Sequence, residues 1–124
     1  MGGRPGKKKK VMSTRWQIAA RLSGGRCGCI YVHFDGYPEH ALRTLQAAYT
    51  DQKIIDQLIA LGDCRSVGVR IEECDTFSGR EGEKWEDIKP TYGDDLKAVA
   101  DVHRHGDENY RYTWDGRQWA MEQL

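Results

Sequence analysis

The sequence lacks several features that define common classes of protein. No apolar run approaches the ~18 residues that a membrane span needs. The lysine run at residues 7–10 leads into polar residues, where a secretory signal would have an apolar stretch. Proline is scarce, with three residues, and phenylalanine scarcer, with two. Because 124 residues are enough for one buried core, we expect a single soluble domain in the cytoplasm.

Net charge is also lacking, since 19 basic side chains balance 19 acidic ones. The two signs are nevertheless separated along the chain. Residues 1–11 carry five positive charges, three glycines and a proline, which predicts a disordered basic tail before a domain at 12–124. Residues 72–108 hold 12 acidic and five basic side chains, an excess of seven negative charges. A net charge of zero therefore does not exclude that a charged segment of the chain recognises a partner.

Hydrophobic periodicity predicts the order of the secondary structure. Alternating apolar residues indicate β-hairpins at 14–34 and 110–124. Apolar stripes at helical spacing indicate an αα-hairpin over 39–61, with Thr50-Asp51 between its helices. The intervening pattern indicates a strand at 65–74, an aperiodic loop at 75–93 and a short helix at 94–102. The resulting order, ββ-αα-β-(α)-ββ, predicts an α+β fold: an antiparallel sheet with the helical hairpin packed on one face.

The sequence contains no familiar catalytic or cofactor motif. It has no G-x-S-x-G, P-loop, G-x-G-x-x-G or H-E-x-x-H. Cys27-x-Cys29 and His103-x-His105 are separated by one residue, whereas structural zinc sites favour two to four. A zinc site of Cys27, Cys29 and His33 with a distant fourth ligand is the alternative. We expect no enzymatic activity, no cofactor and no metal site.

Two groups of residues are candidates for binding. Aromatic and arginine side chains on the predicted strands, together with polar residues around residue 35, have the composition of a protein interface or of a pocket for a nucleotide. They are Arg15, Trp16, His33, Asp35, Tyr37, Arg111 and Trp114. The second group is a candidate acidic partner surface made of Glu81, Glu83, Glu86, Asp87, Asp94 and Asp95. The negative charge of the domain disfavours sequence-specific binding of nucleic acid.

The stretch from Met12 to Asp63 resembles a group of small proteins from phages and prophages. The resemblance lies in the MSTR start, in YVHFDGYPE at residues 31–39 and in LGD at residues 61–63. The late Tyr112-x-Trp114-x-Gly116-x-x-Trp119 also matches the group's C-terminal hairpin. The block around Asp35-Gly36 has a structural interpretation as a tight turn before a helix, and a functional one as a pocket beside Arg15.

The resemblance implies an accessory protein of a phage or mobile element. We expect a non-enzymatic counter-defence protein that binds and blocks a host immune component, as anti-CRISPR proteins do, with its acidic segment occupying a cleft meant for nucleic acid. The alternative is that an aromatic and arginine pocket sequesters a cyclic nucleotide or a cyclic ADP-ribose-type immune signal. In either case an exposed sheet edge favours a homo-oligomer.

Overall fold

A computed structural model describes residues 14–124, which form one mixed sheet with helices on both faces. The predicted basic tail at 1–11 lies outside these residues. The sheet has seven strands in the order β4-β3-β2-β1-β6-β7, with β5 pairing along β2. Their bounds are β1 Trp16–Arg21, β2 Cys27–Val32, β3 Cys64–Ser66, β4 Asp75–Thr76, β5 Thr91–Gly93, β6 Tyr110–Trp114 and β7 Trp119–Gln123.

The predicted α+β class is confirmed, but the sheet is not purely antiparallel. The hairpins β1–β2 and β6–β7 pair antiparallel, as the turn residues indicate. However, β1 runs parallel to β6 through five residue pairs, and β2 meets β3 in parallel at Val32 and Cys64. Both parallel pairs join strands that are distant in sequence, so no local turn signal specified their direction.

The predicted αα-hairpin is confirmed as α1 Ala41–Ala48 and α2 Gln52–Ala60. Asp51 caps α2 by accepting a hydrogen bond from the Lys53 N–H at 2.9 Å. Gly62 ends this segment with φ +80°, a conformation that glycine adopts without a Cβ clash. Apolar side chains of both helices pack on one face of the sheet and form the larger core. Its fully buried members include Ile18, Ile30, Leu45, Leu58, Ile59 and Tyr112.

The short predicted helix at 94–102 is α4, Leu96–Val102, and it packs on the opposite face of the sheet. Val99 and Ala100 cover Cys27 and Cys29 there. Asp95 caps the helix by accepting a hydrogen bond from the Ala98 N–H at 2.8 Å. The helical hairpin therefore packs on one face as expected, and α4 adds a second, small core on the other face.

Residues 64–93 differ most from the prediction. The strand expected at 65–74 is only Cys64–Ser66, and residues 71–73 form a 3₁₀ turn. The loop expected at 75–93 contains β4, a 3₁₀ turn at 77–79, α3 Trp85–Ile88 and β5. Elements of two to four residues are too short to produce a hydrophobic period. Among the described residues, no helix is both long and apolar enough to cross a membrane.

Candidate functional site

The two predicted binding tryptophans belong to the larger core. Trp16 is 1% exposed and Trp114 is 4% exposed. The Trp16 indole donates a hydrogen bond to the Phe34 carbonyl at 2.7 Å, and that of Trp114 donates to the Gln52 side chain at 2.9 Å. Trp16 also packs edge-on against Tyr112, with ring centroids 5.4 Å apart. Neither indole presents a free face on which a base could stack.

Arg111 lies on the other face of the sheet from Trp114, although both belong to β6. Its Nε donates a hydrogen bond to the Gln17 side-chain oxygen at 2.8 Å, and its terminal nitrogen lies 3.0 Å from Asp101. The Gln17 amide in turn donates to the Ala100 carbonyl at 2.9 Å. Alternation along a strand sends residues 111 and 114 to opposite faces. The prediction that Arg111 and Trp114 line one pocket is therefore wrong.

Arg15 and His33 do come together, through Tyr31. The Tyr31 hydroxyl lies 2.9 Å from His33 Nδ1, and the guanidinium of Arg15, which forms an ion pair with Asp107 at 3.2 Å, is close enough for its charge to act on both side chains. Burial raises the pKa of Tyr31 to about 12. Burial lowers the pKa of His33 below its usual value, and the positive charges of Arg15 and Arg65 lower it further. A polar, aromatic cluster thus forms at this end of β2, with Tyr31 buried and Arg15 and His33 partly exposed.

Asp35 and Tyr37 belong to the turn that leads into α1. Asp35 has φ +67°, and the Gly36 N–H donates to the Thr14 carbonyl at 2.9 Å. The Tyr37 carbonyl accepts a hydrogen bond from the Ala41 N–H at 2.7 Å, while its ring is 41% exposed and lies near Tyr110. These contacts fit the structural interpretation of this block.

A cluster of Asp63, His103 and His105 is the most concentrated group of chemically active side chains in the described structure. Asp63 follows α2, and its side chain is 3% exposed. One carboxylate oxygen, Oδ1, accepts a hydrogen bond from the Tyr31 N–H at 2.9 Å and lies 2.7 Å from His103 Nε2. The other, Oδ2, lies 3.7 Å from His105 Nε2. Three segments distant in sequence therefore converge on one carboxylate.

Neighbouring side chains fix the orientation of both histidines. His103 Nδ1 lies 2.7 Å from the Thr91 hydroxyl, which comes from β5. The His105 ring stacks on Tyr31, with centroids 4.0 Å apart and planes at 5°. The buried carboxylate of Glu108 accepts hydrogen bonds from the backbone N–H groups of His105 at 2.8 Å and of Gly106 at 2.9 Å. The loop at 103–108 therefore has one defined conformation.

This cluster can hold a metal ion by its geometry. Among residues 14–124 it is the group of three histidine, cysteine or acidic side chains whose ligand atoms all lie within 4.8 Å of one another. Cys27 and Cys29, which the alternative zinc site used, are instead buried under α4. Burial raises the pKa of the Cys29 thiol, so its metal-binding thiolate form is disfavoured.

Asp63 is the functional candidate that the sequence analysis missed. His103-x-His105 was visible as a pair, and Asp63 ends the LGD sequence quoted for the resemblance. Nothing in the sequence joined the two, because the contact depends on β2 passing between α2 and the loop at 103–108. The Tyr31 group that binds the carboxylate is its backbone N–H, which nearly every residue has, so the sequence does not indicate this role.

All six residues of the acidic partner surface are solvent-exposed. Four of them lie in or just before α3, and the other two, Asp94 and Asp95, lie between β5 and α4. Glu86 forms an ion pair with Lys89 at 2.9 Å, and Asp95 caps α4. The predicted surface therefore consists of two segments, of which the one around α3 holds four of the six carboxylates.

No family model, no curated protein and no solved structure matches this chain.

Proposed function

We propose that this protein is a non-enzymatic counter-defence protein of a phage or mobile element, which blocks a nucleic-acid-binding host immune complex. The surface that would make the contact is α3 with the residues before it, 81–88. The observation that carries the proposal is an exposed tryptophan, Trp85, surrounded in sequence by four exposed carboxylates. Such a surface can occupy a basic cleft by complementary charge and anchor itself there with one aromatic ring.

Trp85 has the exposure and the support expected of an interface anchor. It is 47% exposed, although large aromatic rings bury well in a core of this size. A Cβ built at Gly62 would lie 3.0 Å from the edge of the Trp85 ring, so one side of the ring rests against the end of α2. The ring is thus held in place by the domain and can contribute contact area at a low entropic cost.

The backbone of this segment is also fixed before any partner binds. The Asp63 N–H donates a hydrogen bond to the Ile88 carbonyl at 2.7 Å, which ties α3 to the end of α2. At the start of the segment, Arg80 forms an ion pair with Asp75 at 3.1 Å. The carboxylates are therefore presented on an ordered scaffold, which reduces the cost of association.

The carboxylates of this segment are mostly unpaired within the described chain. Among the ion pairs of residues 14–124, only Glu86 of the four has a partner, Lys89. Residues 81–89 contain four acidic side chains and two lysines, so the local charge is negative. Exposed carboxylates without internal partners are available to a cationic surface and steer its approach over about a Debye length, ~8 Å at physiological salt.

The residues expected to form a pocket for the alternative function, sequestration of a cyclic nucleotide signal, do not lie together. This function required Arg111 and an aromatic ring such as Trp114 on one surface, whereas they lie on opposite faces and are buried. The carboxylates of the acidic surface would also repel a ligand that carries phosphate groups. We therefore keep inhibition of a macromolecular complex as the proposal.

The test is competition with nucleic acid for purified CRISPR effector complexes. Mobility-shift titrations of each complex with its target duplex are run with increasing protein, at low and at physiological salt. The proposal expects that the protein weakens duplex binding by at least one of the complexes. It also expects that the double variant Glu81→Gln/Glu83→Gln and the single variant Trp85→Ala each lose most of this effect.

A matched control distinguishes the α3 surface from net charge. Glu39→Gln/Glu72→Gln also removes two negative charges from exposed positions, but away from residues 81–88. This variant should inhibit like the wild type. Equal loss in both double variants would refute a role for this surface. Absence of inhibition across effector complexes of every major type, with calorimetric binding of a cyclic nucleotide, would replace the proposal by the alternative.

A further inference from the structure

We infer that Asp63, His103 and His105 form a binding site for a divalent transition-metal ion, with zinc as the preferred metal. Its three ligand side chains are not among residues 81–88, although the backbone N–H of Asp63 also holds Ile88, so the two proposals are tested with different variants. The inference departs from the sequence-based expectation of no metal.

The distances between the ligand atoms are close to those of a zinc site. Ligands at the usual ~2.1 Å from a tetrahedral zinc ion are about 3.4 Å apart. Here Asp63 Oδ1 and His103 Nε2 are 2.7 Å apart, and Asp63 Oδ2 and His105 Nε2 are 3.7 Å apart. All three ligand atoms lie within 4.8 Å of one another, and tetrahedral spacing would require the His103 ring to move about 0.7 Å away from Asp63 Oδ1. Because His105 is on a surface loop and its side chain is 42% exposed, the ion also has a path of entry.

The surroundings of His103 match those of a metal-binding histidine. Such a histidine commonly donates its second ring N–H to an oxygen acceptor, which fixes the ring and leaves the other nitrogen free to bind the metal. The Thr91 hydroxyl occupies that position, 2.7 Å from His103 Nδ1. Nε2 then points at Asp63, where the ion would sit. His105 is oriented similarly by stacking on Tyr31 and by the hold of Glu108 on its backbone.

The charge of Asp63 provides a further argument. A buried carboxylate requires a compensating cation or strong hydrogen bonds. Among the described residues, its ion-pair partners are the two histidines, which are charged only when protonated. A divalent ion between the carboxylate and two neutral imidazoles would supply the compensation directly. Two imidazoles with one carboxylate suit zinc and its neighbours in the first transition series better than magnesium or calcium.

Three protein ligands leave the fourth position of a tetrahedral ion for water. That is the arrangement of zinc sites that are accessible to exogenous ligands, whereas purely structural sites use four protein ligands. Among the three ligands His105 is the exposed one, so solvent and small ligands would reach the ion from its side. We therefore expect the bound ion to accept a small anionic ligand.

The experiment uses the full chain without a histidine tag, freed of metal by a chelator and titrated with zinc in a calorimeter. The inference expects one zinc per chain, and no comparable binding of magnesium. His105→Gln should weaken zinc binding at least tenfold. Its matched control is His40→Gln, an exposed histidine elsewhere on the surface, which should bind zinc like the wild type.

A second pair of variants tests the support of His103 without touching a ligand. Thr91→Val removes the hydroxyl and keeps the shape, and loss of such a partner weakens metal binding by about 10–100-fold. Thr113→Val, also a half-buried strand threonine, is its control and should have no effect. This comparison stays informative if a change at the buried Asp63 prevents folding.

Cobalt substitution identifies the ligand atoms. A cobalt ion held by Asp63, His103 and His105 gives visible d–d bands without the near-ultraviolet charge-transfer band of a thiolate ligand. A thiolate band, and loss of it in Cys74→Ser, would place the metal at the partly exposed cysteine and overturn the inference. So would zinc affinity that is the same in the wild type, His105→Gln and Thr91→Val. Failure of the inhibition test leaves this result untouched.

Discussion

Replacing Arg111 with methionine should destabilise the fold, because the guanidinium satisfies a buried polar group. Methionine preserves the apolar stem but removes the donor to Gln17, a residue that is 0% exposed. A hydrogen bond to a charged group contributes ~1.5–3 kcal/mol. The ion pair with the solvent-exposed Asp101 is screened and contributes little. We therefore expect a loss of about 1.5–3 kcal/mol in the free energy of unfolding, or roughly 10 °C in Tm.

Urea unfolding followed by tryptophan fluorescence measures this loss, with calorimetry for Tm. Arg117→Met, on the exposed turn between β6 and β7, is the control and should stay within about 0.5 kcal/mol of the wild type. In a double-mutant cycle, Arg111→Met and Gln17→Leu should couple by more than about 1 kcal/mol. If Arg111→Met unfolds at the same urea concentration as the wild type, Arg111 is free for a ligand and its assignment as a structural residue is wrong.

Three further predictions follow from burial and backbone geometry. In the native protein Cys74 should react with a thiol reagent, while the other three cysteines, all 0% exposed, should react only on unfolding; equal labelling of all four would contradict this. Gly62→Ala should cost about 2–3 kcal/mol in urea unfolding, because φ is +80° and the new Cβ would lie 2.6 Å from the Ile88 carbonyl oxygen. The folded pKa of His33 is depressed, so the unfolded chain binds more protons and stability falls as pH drops through about 6.5. The stability that the wild type has over His33→Asn should therefore shrink between neutral and mildly acidic buffer, and a constant difference would refute the role of His33.

The parts of the fold that sequence could predict are those held by local chemistry. The turn at Asp115-Gly116 and the glycines before residue 26 specify two hairpins, and both form as expected. The cap at Asp51 and the glycine at 62 delimit α2. By contrast, the parallel pairing of β1 with β6 joins strands ~90 residues apart, where loop closure and packing, not local preference, decide the direction. The side on which α4 packs is undetermined for the same reason.

The candidate sites show the same division. Exposure of the acidic residues around α3 follows from their polarity, and it could be predicted. The scarcity of phenylalanine indicates that some of the strand aromatics are core residues, but periodicity alone does not tell which of Trp16, Arg111 and Trp114 are buried, because it does not say whether both faces of the sheet are covered. The convergence of Asp63 with the two histidines depends on a backbone N–H of β2 and on the path of the loop after α4. Only the assembled structure contains that information.

The efficiency of plating of a CRISPR-targeted phage tests the proposed function most directly. Bacteria with active immunity express the wild-type protein, Glu81→Gln/Glu83→Gln or Glu39→Gln/Glu72→Gln at equal levels, and plaques are counted against cells without immunity. The account predicts that the wild type and the second double variant restore plating against at least one type of CRISPR system, while the first double variant does not. Restoration that is unaffected by the changes at residues 81 and 83, or no restoration against any type, would contradict it.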